Sequence, residues 1–333
     1  MRPPSLYQIV TLLLCSLGAA ACLNACGDST RPPITPFSPD TCSSVYGPLP
    51  SFHLSPTWSS LGVIAYRDNG IACIDTGGIY GVAPDSVGIW TLDLSTGTAQ
   101  RILSDGYTPD WSPNGMRLAF ERNWDLYAAN SDGSNVTLIV SEGVSLAPRW
   151  SPDGHLIAFH SSAGVPTHFA TWIARADGSA RRRIAEDGRC ASWSPDQKSL
   201  VFIGGAGPLA GSPSGIVEYR LADGTFHVLL AAETGLLSPP RYSPDGTKIA
   251  FGLRERLACH PFQLWVMDAD GKNPQRLTEE GGAEPAWSPD GTRIAFVRAN
   301  PWDEGSGSGL LWVIDPDTRV SKQVTWQLTP VCD

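Results

Sequence analysis

No stretch of this chain is long and apolar enough to be a spanning helix. The longest apolar run, residues 9–23, has 15 residues, against the ~20 that a bilayer requires. Charge is sparse. Charged residues make up 17 % of the chain and the formal net charge is −9. That balance argues against a nucleic-acid binder and against a protein that adsorbs on an anionic membrane surface. The motifs of common catalysts are also missing. Gly-x-Ser-x-Gly does not occur; Gly211-Ser212-Pro213-Ser214-Gly215 and Gly305-Ser306-Gly307-Ser308-Gly309 carry Pro or Gly in the middle place. The six histidines, at 53, 155, 160, 168, 227 and 260, form no His-x-x-x-His or His-Glu pair. No phosphate loop or dinucleotide fingerprint is present.

What the chain has in quantity is a repeat. Trp287-Ser288-Pro289-Asp290-Gly291 leads into Ile294-Ala295-Phe296. The same pattern starts at Trp111 (with Asn114), Trp150, Trp193 and Tyr242, and in a worn form at Trp58. The aromatics stand 53, 39, 43, 49 and 45 residues apart, with 46 remaining after the last. Each Ser-Pro-Asp-Gly is a tight turn, because Pro presets φ, Asp bonds the backbone beyond it and Gly takes the left-handed position. A short apolar run with a terminal aromatic follows, then a second run with its own aromatic, such as Leu264-Trp265 or Leu311-Trp312. A further turn comes next, Asp-Gly at 132, 177, 223 and 270, and a fourth run closes the unit. Runs this short and rich in β-formers are strands. Four strands, A to D, at a period of about 45 are one blade of a propeller. The expectation is all-β: a six-bladed β-propeller with four antiparallel strands per blade.

These units resemble the WD40-like repeats of TolB-type β-propeller proteins, over roughly residues 52–326. The dipeptides of true WD40 repeats are absent from their phase. The resemblance implies the fold and a place in the bacterial envelope. TolB carries an α/β domain before its propeller, and the N-terminal segments here leave no room for one, so the expectation is a propeller alone.

In chain order, residues 1–25 read as a lipoprotein signal peptide, with Arg2 the only charge. Leu23-Asn24-Ala25-Cys26 looks like a bacterial lipobox, which makes Cys26 the lipidated residue. Residues 26–51 form a tether with Pro at 32, 33, 36, 39, 48 and 50. Residues 52–333 are the propeller. Gly27 after the anchor points to the periplasmic face of the outer membrane, with the lipid as the only membrane contact. Five cysteines lie beyond the anchor: Cys42, Cys73, Cys190, Cys259 and Cys332. Export makes disulfides plausible, and a bridge from Cys332 to Cys42 or Cys73 would staple the ring shut. Cys190 reads as part of a D-to-A loop. Five thiols leave at least one unpaired, expected to be buried and inert.

Function is expected on the irregular face, formed by B-to-C and D-to-A loops. The Ser-Pro-Asp-Gly face is nearly uniform, whereas binding usually resides in variable loops on a rigid scaffold. The repeat absorbs nine of 12 Trp as core. Trp124 and Trp302 are left in B-to-C loops beside Asp125 and Asp303. With Tyr107, Arg254 and His260 they make the candidate binding face. Residues just before the A-strand aromatics should line the channel, which makes Asp110, Arg149 and Arg241 channel candidates, most simply as an ion pair. No cofactor is expected; the acidic loops Glu186-Asp187 and Glu279-Glu280 leave a channel cation open. The function this supports is a non-catalytic, lipid-anchored scaffold that binds an envelope protein. A cell-wall glycan stacked on the indoles is the alternative. A propeller lyase or hydrolase, using His168 and His260, is the third reading.

Overall fold

The computed structural model describes residues 53–68, 72–74, 80–82, 87–164, 168–205, 215–231, 235–255, 262–279, 281–299 and 309–325. Six sheets follow one another along the chain, and in each the strands pair in sequence order. Blade 1 comprises His53–Trp58, Val63–Asp68, Gly88–Asp93 and Thr98–Leu103. Blade 2 comprises Tyr107–Trp111, Arg117–Arg122, Asp125–Asn130 and Thr137–Val140. Blade 3 comprises Ser145–Trp150, Leu156–Ser161, Ala170–Arg175 and Arg182–Ala185, and blade 4 Gly188–Trp193, Ser199–Gly204, Gly215–Arg220 and Phe226–Ala231. In blade 5 the A strand is split into Gly235–Leu237 and Arg241–Tyr242, ahead of Lys248–Glu255, Gln263–Asp268 and Gln275–Arg276. Blade 6 is Ala283–Trp287, Ile294–Ala299, Gly309–Ile314 and Ser321–Gln323. The long B-to-C loop of blade 1 carries a hairpin, Ala72–Ile74 paired with Tyr80–Val82. The six-bladed, four-stranded expectation is met.

Each A strand touches the A strand of the next blade, and the last touches the first. The A strands are therefore the innermost, around a central channel. B strands are covered by neighbouring blades on both faces, so they read as nearly continuous apolar runs; every residue of Ser199–Gly204 is buried. D strands form the rim and are largely exposed, as in Thr98–Leu103. One aromatic per B strand lies at the heart of its blade: Tyr66, Phe120, Phe159, Phe202, Phe251 and Phe296, none more than 3 % exposed. In four blades it pairs across the ladder with a Trp of the C strand, as Tyr66 with Trp90 and Phe296 with Trp312. Such cross-strand aromatic pairs stabilise a sheet.

Among the described residues there is no single core. Six apolar clusters exist, one between each pair of neighbouring blades. The cluster of Ile64, Tyr66 and Leu92 with Ala295, Leu311 and Val313 joins blade 6 to blade 1 and closes the ring. The turns on the uniform face repeat one hydrogen-bond set. The Ser hydroxyl donates to the Asp carboxylate, at 2.6 Å for Ser288 and Asp290, and accepts the amide five residues on, at 2.9 Å from Arg293. That bonding holds the Asp290 carboxyl down at about 2.

Candidate functional site

The inner strands carry a second repeat, three residues before the aromatic. It reads Ser55-Pro56-Thr57-Trp58, Thr108-Pro109-Asp110-Trp111, Ala147-Pro148-Arg149-Trp150, Cys190-Ala191-Ser192-Trp193, Pro239-Pro240-Arg241-Tyr242 and Glu284-Pro285-Ala286-Trp287. In five blades the first residue has positive φ: Ser55 51°, Thr108 43°, Ala147 50°, Cys190 58° and Glu284 54°. At the same place the A-to-B register slips. This is a β-bulge, which bends the strand and re-aims its side chains. Blade 5 achieves the bend by breaking its A strand at Pro239-Pro240.

A bulge leaves an amide outside the ladder, and a buried amide needs an acceptor. Side chains of the preceding blade supply it. The Ser55 amide donates to the Glu284 carboxylate. Ala147 donates to Glu121 Oε2 at 3.3 Å, Cys190 to His160 Nδ1 at 3.3 Å, and Glu284 to Ser238 Oγ at 3.2 Å. These groups latch blade to blade around the channel. Burial and the charges of Arg189 and Arg149 push the His160 imidazole down to about 3, so the ring is neutral and Nδ1 accepts. Burial pushes the Glu121 carboxyl up to about 7 despite its bond from Ala147.

Asp110 ties three blades together. Its carboxylate accepts from the Thr57 hydroxyl of blade 1 at 3.2 Å and the Trp150 amide of blade 3 at 2.8 Å. It faces Arg149 Nη1, also of blade 3, at 3.8 Å. The Asp110–Arg149 pair is thus an ion pair between adjacent blades. Arg241 makes no ion pair among the described residues; its one hydrogen bond there goes to the Pro240 carbonyl at 3.3 Å. It still feels the charges of Arg149 and Asp110. Blades 2 and 5 lie opposite one another, so all three side chains converge in the channel.

On the irregular face, blade 2 presents the exposed aromatics. Asn123 (φ 53°) and Trp124 (φ 72°) form a two-residue turn between B and C. Both central residues having positive φ is the primed hairpin geometry, where Gly is favoured at the second position. Trp124 is 45 % exposed, and its carbonyl accepts the Ser145 amide of blade 3 at 2.8 Å. Tyr107, 47 % exposed, starts the adjacent A strand and pairs in register with Glu121. The buried Arg67 of blade 1 lies over its ring at 4.2 Å and donates to the Gly106 carbonyl at 2.9 Å. Arg122 pairs with Asp105 beside it. Burial raises the Asp125 carboxyl above the usual carboxylate range.

The structure thus brings Trp124 and Tyr107 to one end of blade 2. Arg254 is half-buried on blade 5, over Phe262 at 5.4 Å. Trp302, Asp303, His260 and Cys26 lie outside the described residues, as do Cys42, Cys259 and Cys332; no side-chain position is described for Cys73. Cys190 corrects its expectation. It lies within the A strand Gly188–Trp193, at the bulge, not in the loop before it, and it is a free thiol that burial raises. His168 precedes the C strand of blade 3. Among the described residues no three His, Cys, Asp or Glu side chains converge on one point that a metal ion would fill. Ser192 was read only as one of the residues before the inner-strand aromatics, and Glu121, His160 and Glu284 were not singled out as site residues from the sequence. Two signals mark them: the Pro-x-Trp pattern of the A strand, and the place just after the B-strand aromatic.

Comparison with known proteins gives likenesses of fold. Residues 86–163 match the model of the dipeptidyl peptidase IV N-terminal region. A structure assigned as TolB from Agrobacterium tumefaciens is similar at TM-score 0.60 and 22 % identity, over 70 % of this chain and 86 % of that one. TolB from Acinetobacter baumannii is similar at TM-score 0.57 and 22 % identity, over 72 % of this chain and 57 % of that one. An oligogalacturonate lyase in complex with manganese is similar at TM-score 0.51 and 10 % identity, over 81 % of this chain and 77 % of that one. No curated protein sequence matches the chain.

Proposed function

We propose that the chain is a protein-binding module of the bacterial cell envelope, held at a membrane through lipid on Cys26 and docking its partner with the irregular face at blade 2. The observation that carries this is Trp124. It stands half-exposed at φ 72° in a turn position that favours glycine. A non-glycine residue there costs on the order of 1–3 kcal/mol, and such strain collects at functional sites. Exposed Trp and Tyr on a rigid support are the usual anchors of a protein interface. The fold likeness to two TolB structures supports an envelope role. The likeness to a lyase is one of fold, and a fold does not carry a reaction.

The test is capture of partners from cross-linked envelope extract by the mature chain, beside Trp124→Gly. The variant removes the indole and relieves the turn. Relief of about 1–2 kcal/mol offsets much of the half-buried indole's packing, so stability should change by ~1 kcal/mol or less. One partner should be captured by the parent and lost from the variant. If Trp124→Gly retains every partner, or melts far below the parent, the indole is packing and the assignment of this face fails. Cys26→Ser should release the chain from membranes without altering capture.

A further inference from the structure

The inner-strand position before the aromatic holds, from blade 1 to blade 6, Thr57, Asp110, Arg149, Ser192, Arg241 and Ala286. Two guanidiniums flank one hydroxyl on three consecutive blades. We propose that Arg149, Ser192 and Arg241 form a cradle in the channel for a small oxyanion or a carboxylate group.

The reasoning starts from hydrogen-bond supply. A guanidinium carries five N–H donors and no acceptor. Among the described residues Arg149 uses Nη1 on the Pro148 carbonyl at 2.8 Å. Its 3.8 Å approach to Asp110 is too long for a hydrogen bond. Its Nε is buried with no acceptor, on a side chain only 8 % exposed. Arg241 gives one long bond, 3.3 Å, to the Pro240 carbonyl. Ser192, on the blade between them, is 7 % exposed and so places a buried hydroxyl at the same level. Arg149 Nε is therefore an unfilled donor in a place where unfilled donors are costly, and the half-buried Arg241 brings a second fork to the same channel.

The nearby carboxylates are already engaged. Asp110 holds Thr57 and Trp150, and Glu284 holds the Ser55 amide. Both lower the affinity for an anion but fill neither fork. Burial, and after it the charge of Arg149, bring the Arg241 guanidinium down to about 9. An anion between the two arginines would relieve that repulsion and accept their donors in the paired geometry that suits carboxylate and phosphate oxygens. The same charges oppose a cation at this level of the channel.

The test is calorimetric titration of the full chain, prepared free of carboxylate and phosphate buffers at low chloride, with inorganic phosphate and separately with acetate. Saturable one-site binding of either is the expected result. Binding of phosphate alone identifies an oxyanion site, and of acetate alone a carboxylate site. Arg241→Gln removes one fork without touching the Asp110 latch and should weaken binding about tenfold or more. Ser192→Ala should weaken it less, and the exposed Arg182→Gln not at all. A melting curve for each variant checks the fold. Absence of saturable binding to the parent, or equal affinity in a folded Arg241→Gln, overturns the site. This outcome is independent of the partner-binding reading of blade 2.

Discussion

Glycines in the C-to-D turns offer a direct test of how the blades contact one another. Gly178, in the turn of blade 3, has φ +82°, and a Cβ there would lie 1.9 Å from the Ile139 carbonyl oxygen in the outer strand of blade 2. Gly97, in the corresponding turn of blade 1, has φ +71° and open space around it. Alanine at Gly97 therefore bears only the left-handed penalty, about 1–2 kcal/mol, reduced by the ~0.4–1 kcal/mol that a stiffer unfolded chain returns. The net loss is below about 1.5 kcal/mol. Alanine at Gly178 bears that penalty plus a collision with backbone, which has no rotamer to move into. Overpacking adds about 1–3 kcal/mol, for a total near 2–4 kcal/mol. At roughly 2 °C per kcal/mol for a chain of this size, Gly97→Ala should melt within ~3 °C of the parent and Gly178→Ala about 4–8 °C below it. Circular dichroism melts of the two variants, run side by side, decide the matter. Equal losses would mean that the C-to-D turn of blade 3 does not press on blade 2, and the geometry of that interface as described would be wrong.

Other perturbations follow from the channel. Asp110→Ala leaves the Trp150 amide and the Arg149 charge without their buried partner, a loss on the order of 3–5 kcal/mol; denaturant midpoints should show it, and Asp110→Asn should recover part by keeping one acceptor for Trp150. Glu121 has its carboxyl raised to about 7 in the fold, so the folded state holds this proton more tightly than the unfolded one. Its contribution to stability is full below the ordinary Glu range, falls as pH rises, and is lost above about 7, by up to on the order of 3 kcal/mol. Glu121→Gln keeps an acceptor for Ala147 and should flatten stability between pH 5 and 7.5; an unchanged pH slope would remove Glu121 as its source.

How much of this was legible beforehand depends on the range of the interactions. Asp290 and its turn were readable because everything that holds them lies within five residues. The strand order was readable because alternation and aromatic spacing are local. Trp124 stood out as one indole the repeat did not absorb, yet its left-handed turn was not visible, since Asn123-Trp124 lacks the glycine that usually marks one. Cys190 was misplaced in a loop because the bulge lengthens the inner strand by a residue, so that the strand begins at Gly188 and Cys190 falls inside it, out of register with the ladder. Glu121 and His160 follow the B-strand aromatic at a position that holds Ile203, Gly252 and Val297 in other blades, so the place recurs but no recurring residue type drew attention to it.

The sequence by itself determined the blades: six copies of a turn with its own hydrogen bonds, each followed by strands whose period of two leaves one pairing order. Only the tertiary structure decided which residues meet. Asp110, Arg149, Ser192 and Arg241 lie tens of residues apart; their shared place in the repeat put them on inner strands, but not which of them would pair. Closing the ring sets equivalent inner-strand positions around one channel, where burial strengthens charge and makes an unfilled donor costly. That convergence is a property of the closed circle of blades, not of any one of them.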